Sequence, residues 1–229
     1  MRIKSNSVRA RFGSFVGCLA ILFSLSARAA EPATVTFSLD FPGSDPEHYS
    51  ISVHFDGHTS YESRTRTSSD ASDPAAYQTE FTVSDATRTR IFELAAHARY
   101  FSGKIDSGNK KLAFSGAKKL TYTDGQKSFS ADYNYSPQPP VQQLTNLFQS
   151  ISATLEFARR LAYDHRYQKL ALDEELKHME VQAKSGELAE LQAVKPILQA
   201  IYDDPSVINV VRARAQRIME MEGSVSAAR

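Results

Sequence analysis

The sequence changes character at a proline cluster, residues 137–140, and this change limits the folds that the chain can adopt. Before the cluster, Thr, Ser, Tyr, Phe and Val predominate, and apolar residues alternate with polar ones between Asp-Gly turns. After it, Leu, Ala, Gln, Glu, Lys and Arg predominate, and apolar residues recur at spacings of three and four. A period of two is typical of strands and a period of 3.6 is typical of helices. The chain therefore passes from a β region to an α region at the prolines.

This change predicts an α+β protein. We expect an antiparallel β-sheet of hairpins with one covering helix, followed by a C-terminal helical bundle or helical layer. The sequence leaves open whether the sheet and the helices form one domain or two. The expected parts are a signal peptide at residues 1–29, the sheet domain at residues 31–136, the helical region at residues 138–223 and a disordered tail at residues 224–229.

The Asp-Gly turns predict two hairpins. In the first, a three-residue loop that begins at Phe55 pairs Ile51 with Tyr61, the only large side chain of the return strand. We prefer this loop to a two-residue turn, which would pair Ile51 with Glu62, and we expect Gly57 to be left-handed.

The second hairpin is predicted around Asp124-Gly125. A two-residue type I′ turn there pairs Leu120 with Phe129 and Tyr122 with Lys127. This register also aligns a set of apolar residues on one face of the sheet. The set is Leu120, Tyr122, Phe129, Ala131 and Tyr133.

Amphipathic segments predict the helices. The covering helix is expected from about residue 85 to residue 100, with Ser84 as its cap. Three to five short helices should follow the proline cluster. One of them must kink or restart at Pro196, and the last should begin with Asp204 as cap and Pro205 as first helical residue. Glycines are expected to end three helices: Gly103, Gly186 and Gly223.

The first 29 residues have the three parts of an export signal. A basic segment without acids comes first, an apolar run of eleven residues at 15–25 follows, and Ala27-Arg28-Ala29 fits a cleavage site. A membrane-spanning helix needs about 20 apolar residues, so this run is too short to span. Cys18 lies within the run rather than after it, which disfavours a lipid anchor. We therefore expect export to the periplasm or the medium after cleavage near Ala29, with no membrane span in the mature chain.

Cleavage changes the charge of the chain. The full sequence has 27 Lys and Arg against 26 Asp and Glu, and residues 1–29 hold five of the bases and none of the acids. The mature chain then carries 22 bases and 26 acids, a net charge of −4. Because most nucleic-acid affinity comes from a basic surface, we expect no nucleic-acid partner.

The tip of the first hairpin holds the candidate metal ligands His54, Asp56 and His58. The three-residue loop makes the two histidines a closing pair on one face, and imidazole with carboxylate can bind Zn²⁺ or Cu²⁺. A third ligand could come from Asp56 itself or from His48. Two histidines also meet at hairpin tips without any metal, so we predict no metal site and keep these residues as candidates.

Two Ser-x-x-Lys matches, Ser107 to Lys110 and Ser115 to Lys118, superficially resemble a nucleophile motif. The known mechanism requires that the serine begin a buried helix, whereas both serines lie in turn-rich β sequence. We therefore predict that neither match is a catalytic motif of that kind. Tyr133 and Tyr135 are a candidate binding surface, and the alternative is that they fill the half-buried face of the sheet.

These observations favour an exported binding, interaction or structural component whose partner is another envelope or extracellular protein. We expect no cofactor, and the missing motifs argue against an enzyme. The alternative is a hydrolase or a metal-binding protein whose site is assembled from distant residues.

Overall fold

The computed structural model describes residues 32–65 and 75–227, so the predicted signal peptide lies outside the described residues. Six antiparallel strands form one sheet in the order β4-β3-β2-β1-β5-β6. Five α-helices accompany it within the described residues. The strands are β1 (Thr34–Asp40), β2 (His48–His54), β3 (His58–Thr65), β4 (Ala75–Thr82), β5 (Ala117–Thr123) and β6 (Ser128–Tyr133). The helices are α1 (Asp85–His97), α2 (Pro139–Tyr167), α3 (Leu172–Ser185), α4 (Lys195–Asp203) and α5 (Asn209–Ala227). The α+β prediction is confirmed.

The sheet has one apolar face and one polar face. Phe37 on β1 pairs with Ile51 on β2 and with Leu120 on β5, and all three are fully buried. The neighbouring residues point the other way, where Thr36 and Ser52 share a hydrogen bond of 2.9 Å. Antiparallel sheets commonly leave one face to solvent. The helices therefore cover only the face that carries the alternating apolar residues.

The first hairpin has the predicted register. Ile51 pairs with Tyr61, and Val53 pairs with Thr59. Gly57 closes the loop with φ of +93°, and its N–H donates to the His54 carbonyl over 2.9 Å. The residue spacing and the single large side chain of the return strand were sufficient to fix this register.

The predicted register of the second hairpin is wrong by two residues. Leu120 pairs with Ala131, Tyr122 pairs with Phe129, and the loop has four residues instead of two. The cause is the Asp124 side chain, whose Oδ1 accepts the N–H of Lys127 over 2.8 Å and stabilises the longer turn. Because a shift of two keeps each side chain on its face, the predicted set of aligned residues is unchanged.

Helix α1 begins where predicted. Ser84 Oγ accepts the N–H of Thr87 over 3.3 Å, and the α-helix ends at His97. A 3₁₀ turn, Arg99–Phe101, follows in left-handed conformation and buries Phe101 against the sheet core.

Helix α2 has 29 residues, so the prediction of uniformly short helices is wrong. Its first half, as far as Leu155, belongs to the core beneath the sheet. Its second half, from Phe157, belongs to a separate core that it shares with α3, α4 and α5. A helix that serves two cores must be long, and the cores meet within α2 rather than at the proline cluster.

The later helices agree in part with those predicted from the sequence. Gly186 ends α3 in left-handed conformation, and α4 restarts at Lys195 with Pro196 in its first turn, as predicted. The predicted start of the last helix is wrong, because α5 begins at Asn209. Asp204 instead accepts the N–H of Ser206 and binds Lys169, which holds a turn before the helix. Helix α5 also continues past Gly223, the glycine expected to end it, to Ala227. None of the helices in residues 32–65 and 75–227 has the length and apolar character needed to cross a membrane.

Candidate functional site

A cleft with a volume of about 440 Å³ lies where β5, β6 and α2 meet. It is lined almost entirely by polar side chains, and its outer wall is the segment that follows β6. The residues that matter below are Ser115, Lys118, Tyr133, Asn134, Tyr135, Gln142, Thr145, Asn146 and Gln149.

Lys118 is the buried charge of the cleft. It precedes Leu120 by two positions on β5, so its side chain lies on the core face, and only 5% of the residue is exposed. Its Nζ donates to the carbonyl oxygens of Ser115 (2.9 Å) and Asn134 (3.0 Å), and it lies 2.9 Å from Ser115 Oγ. No carboxylate of the described residues forms an ion pair with it, and burial lowers the pKa of its ammonium group.

The turn before β5 holds Ser115 against this lysine. Gly116 has φ of +94°, and a Cβ there would lie 3.1 Å from the Cβ of Phe41, so the position requires glycine on both grounds. Asn134 Oδ1 accepts the backbone N–H of Ser115 over 2.9 Å and also lies 3.3 Å from its Oγ. Ser115 itself is exposed at the cleft.

Asp106 attaches the loop before β5 to the segment that forms the outer wall of the cleft. Its Oδ1 accepts the N–H of Gly108 over 2.6 Å, and its Oδ2 accepts the N–H of Asn134 over 2.9 Å. These backbone donors lower the pKa of the carboxyl group. The backbone N–H of Ser107 donates to the carbonyl of Tyr135 over 2.8 Å. The loop is therefore tied at several points to the segment that follows β6.

The two tyrosines of the predicted binding surface have different environments. Tyr133 is 6% exposed, and burial raises the pKa of its phenol. Because Thr145 Oγ1 donates to the carbonyl of Val141, the Tyr133 hydroxyl must donate to Thr145, over 2.6 Å. Tyr135 is 46% exposed, and its hydroxyl accepts from Gln142 Nε2 over 2.8 Å. Only Tyr135 offers its ring to solvent.

Helix α2 adds two amide groups that sequence reasoning missed. Asn146 and Gln149 lie one turn apart on α2, and both are exposed at the cleft. Within the described chain, neither side-chain amide has a hydrogen-bond partner. Their donors and acceptors are available to a ligand. The helical spacing of these residues could have been read from the sequence, but the cleft that they face could not.

The predicted metal candidates are only partly brought together. The rings of His54 and His58 lie 5.6 Å apart, as a closing pair would. Asp56 Oδ1 accepts the backbone N–H of His58 over 2.9 Å. His48 lies at the opposite end of β2, where its Nδ1 hydrogen-bonds Asp40 over 2.6 Å. Across residues 32–65 and 75–227, no three His, Cys, Asp or Glu side chains are placed to hold a metal ion.

A second buried charge lies under the middle of the sheet. Glu156 on α2 is 3% exposed, and its Oε1 accepts from Tyr61 Oη (2.8 Å) and Ser63 Oγ (2.6 Å). Its Oε2 accepts from Arg159 Nε over 2.6 Å. Tyr61 also shares a hydrogen bond with Ser152, and burial raises the pKa of its phenol. These groups satisfy one another and attach α2 to the sheet, so we assign them a structural role.

A larger groove, with a volume of about 760 Å³, lies between α1 and α2. It meets the cleft at Asn146 and is lined by exposed side chains such as Arg90, which contacts Gln143. It holds no buried charge. The cleft, with Lys118 and Ser115, is therefore the stronger candidate site.

Comparison with known proteins assigns no relative. No protein-family model matches the chain, and no curated protein sequence is similar to it. The site must therefore be interpreted from its own geometry.

Proposed function

We propose that the protein is an exported binding protein that holds a polypeptide segment of another envelope or extracellular protein in the cleft between β5, β6 and α2. One observation carries the proposal. The cleft presents side-chain amides that have no partner within the described chain, beside exposed aromatic rings.

The amides favour a peptide group as ligand. A primary amide offers both a donor and an acceptor, and a backbone peptide unit offers the complementary pair. Asn146 and Gln149 supply two such groups one helical turn apart.

The aromatic rings favour an apolar side chain on the same ligand. Phe41 is 36% exposed and Phe114 is 58% exposed, and their rings meet edge to face at 5.9 Å. Phe114 directly precedes Ser115, a residue that lines the cleft, and the ring of Tyr135, which is 46% exposed, is part of the lining itself. A peptide whose backbone pairs with the amides can place an apolar residue on these rings.

Export is the second part of the proposal, and residues 1–29 support it by their basic segment, apolar run and cleavage site. The full chain should be expressed with its first 29 residues and the product recovered from the cell envelope and the medium. N-terminal sequencing is expected to begin at Ala30. An intact N-terminus on a protein retained in the cytosol would contradict export.

The binding proposal is tested with a displayed peptide library selected on the mature chain. Selected peptides should bind the wild type and lose affinity at least about 10-fold in the double variant Asn146→Ala, Gln149→Ala, which removes two hydrogen-bonding groups. Gln143→Ala is the matched control, since Gln143 lies on the same helix but outside the cleft.

Two results would contradict the proposal. One is a selection that enriches no peptide. The other is a set of peptides that bind the double variant as tightly as the wild type, because they would then bind elsewhere.

A further inference from the structure

Lys118 and Ser115 form a contact that ligand binding alone does not require. The nitrogen of Lys118 lies 2.9 Å from Ser115 Oγ, within hydrogen-bond distance. Its remaining contacts are carbonyl oxygens, those of Ser115 (2.9 Å), Asn134 (3.0 Å) and Gly116 (3.4 Å). Carbonyl oxygens accept hydrogen bonds and cannot donate them.

The three nearest partners match the three N–H bonds of a charged lysine, and they also suit the neutral amine that could act as a base. A neutral amine has two N–H bonds and one lone pair. The carbonyls of Ser115 and Asn134 take the two N–H bonds, and the lone pair then faces the hydroxyl of Ser115, the only hydrogen-bond donor among its partners. Burial and the missing ion pair both favour loss of the proton, which agrees with the lowered pKa of Lys118.

Ser115 is placed to meet a ligand. It is exposed, whereas Lys118 beneath it is 5% exposed, so a ligand in the cleft reaches the hydroxyl before the amine. The hydroxyl can also donate to Asn134 Oδ1, which is more distant at 3.3 Å and also accepts the backbone N–H of Ser115 over 2.9 Å. The glycine after the serine allows the turn that brings the two side chains together.

We propose that Ser115 is a nucleophile that Lys118 activates as a general base, and that it takes an acyl group from an ester or amide bound in the cleft. This inference rests on the cleft being the ligand site proposed above. The neighbouring amides and aromatic rings place the acyl donor among peptide-like carbonyl compounds.

The chemistry balances with these two residues. Ser115 Oγ forms a bond to the carbonyl carbon as its proton moves to Lys118 Nζ. The bond from the carbonyl carbon to the leaving group then breaks, and Lys118 returns the proton to that group. The products are an acyl ester on Ser115 and the free alcohol or amine. Water can then attack the carbonyl carbon of the acyl ester as it gives a proton to Lys118. The bond from that carbon to Ser115 Oγ breaks, Lys118 returns the proton to Ser115, and the carboxylic acid is released.

The test uses p-nitrophenyl acetate and the mature chain. Release of p-nitrophenolate and an acetyl group on the peptide that contains Ser115, located by mass spectrometry, are the expected results. Ser115→Ala should lose the adduct. Lys118→Met should slow its formation by about 100-fold or more, the usual contribution of a general base. The rate in the wild type should rise with pH to a plateau as Lys118 loses its proton.

The chain supplies its own controls. Ser107 belongs to the other Ser-x-x-Lys match, but its Oγ accepts from the N–H of Asn109, and no described hydrogen bond joins it to Lys110. Ser107→Ala should react like the wild type. Lys119→Met removes the neighbouring lysine, which is exposed on the polar face of the sheet, and should also leave the rate unchanged. Urea unfolding followed by circular dichroism checks that Lys118→Met folds like the wild type.

The outcomes separate this inference from the binding proposal. Acetylation that is equal in the wild type and in Ser115→Ala, or no acetylation of a wild type that binds selected peptides, would overturn the nucleophile and leave peptide binding standing. Acetylation of Ser115 in a protein that selects no peptide would support the nucleophile and contradict the peptide as ligand.

Discussion

The sheet region and the helical region keep buried charges in different ways. Under the sheet, Lys118 has only neutral partners, and Glu156 receives two hydroxyl groups on one oxygen and Arg159 on the other. In the helical region, Glu180 is surrounded by the cations Lys184, Arg214 and Arg217.

The difference decides which groups keep their charge. Hydrogen bonds and charge interactions with Arg217 and Lys184 lower the pKa of Glu180 to about 2, whereas burial lowers the pKa of Lys118. The helical region therefore stabilises the ionised form of Glu180, whereas the sheet region destabilises the ionised form of Lys118. A group that loses its proton easily can act as a base in catalysis. The comparison therefore favours Lys118, in the sheet region, as the functional group.

The largest expected effect is at Glu156. Glu156→Ala leaves Tyr61, Ser63 and Arg159 without their shared acceptor, and we expect a loss of about 3 kcal/mol in the free energy of unfolding. Urea unfolding followed by circular dichroism measures it. Glu187→Ala, at an exposed site, is the control and should change stability by less than about 0.5 kcal/mol. Equal effects for the two variants would mean that the buried network does not attach α2 to the sheet.

An intermediate effect is expected at Glu180. Because its folded pKa of about 2 lies below the ordinary value of 4.5, its contribution to stability is present above about pH 4.5 and is lost as the pH falls towards 2. Allowing for solvent screening around the exposed cations, Glu180→Gln should cost about 1–2 kcal/mol at pH 7 and almost nothing near pH 2. Urea unfolding at both pH values measures this difference. A cost that does not change with pH would show that the ion pairs are not its source.

The smallest effect is expected for an ion pair at the surface. Lys177 and Glu174 meet at 3.4 Å on α3, and their side chains are 57% and 61% exposed. Lys177→Ala should change the free energy of unfolding by no more than about 0.5 kcal/mol. Thermal unfolding with and without 0.5 M NaCl, about three times physiological ionic strength, checks it. A loss comparable to that at Glu180 would contradict the ranking by burial.

More of the fold than of the site could be predicted from the sequence. Alternation around Ile51 and Tyr61 gave the correct register because only one large side chain was available to pair. The second register was wrong because the Asp124 side chain stabilises a longer loop, a local interaction that periodicity does not contain. The length of helix α2 could not be predicted, because its apolar residues belong to two cores and only the tertiary structure separates these cores.

The site escaped prediction for a related reason. The position of Lys118 on the apolar face could be read from Leu120 and Tyr122, but its partners could not. They are carbonyls from the turn before β5 and from the segment after β6, which the chain brings together only by folding. Neither Ser-x-x-Lys match has the context of the known motif, because neither serine begins a helix. In the structure Ser115 Oγ lies 2.9 Å from Lys118 Nζ, whereas no described hydrogen bond joins Ser107 to Lys110. The motif alone does not specify these distances.

The most direct test of the account is the titration of Lys118 itself. NMR of the labelled mature chain can follow the lysine side-chain signals with pH, and Lys118→Met with Lys119→Met assigns the signal. We expect Lys118 to lose its proton at a lower pH than ordinary lysines, as burial without an ion pair requires. Titration of Lys118 within the usual lysine range would contradict the central claim that the sheet region holds an ionisable group prepared for chemistry.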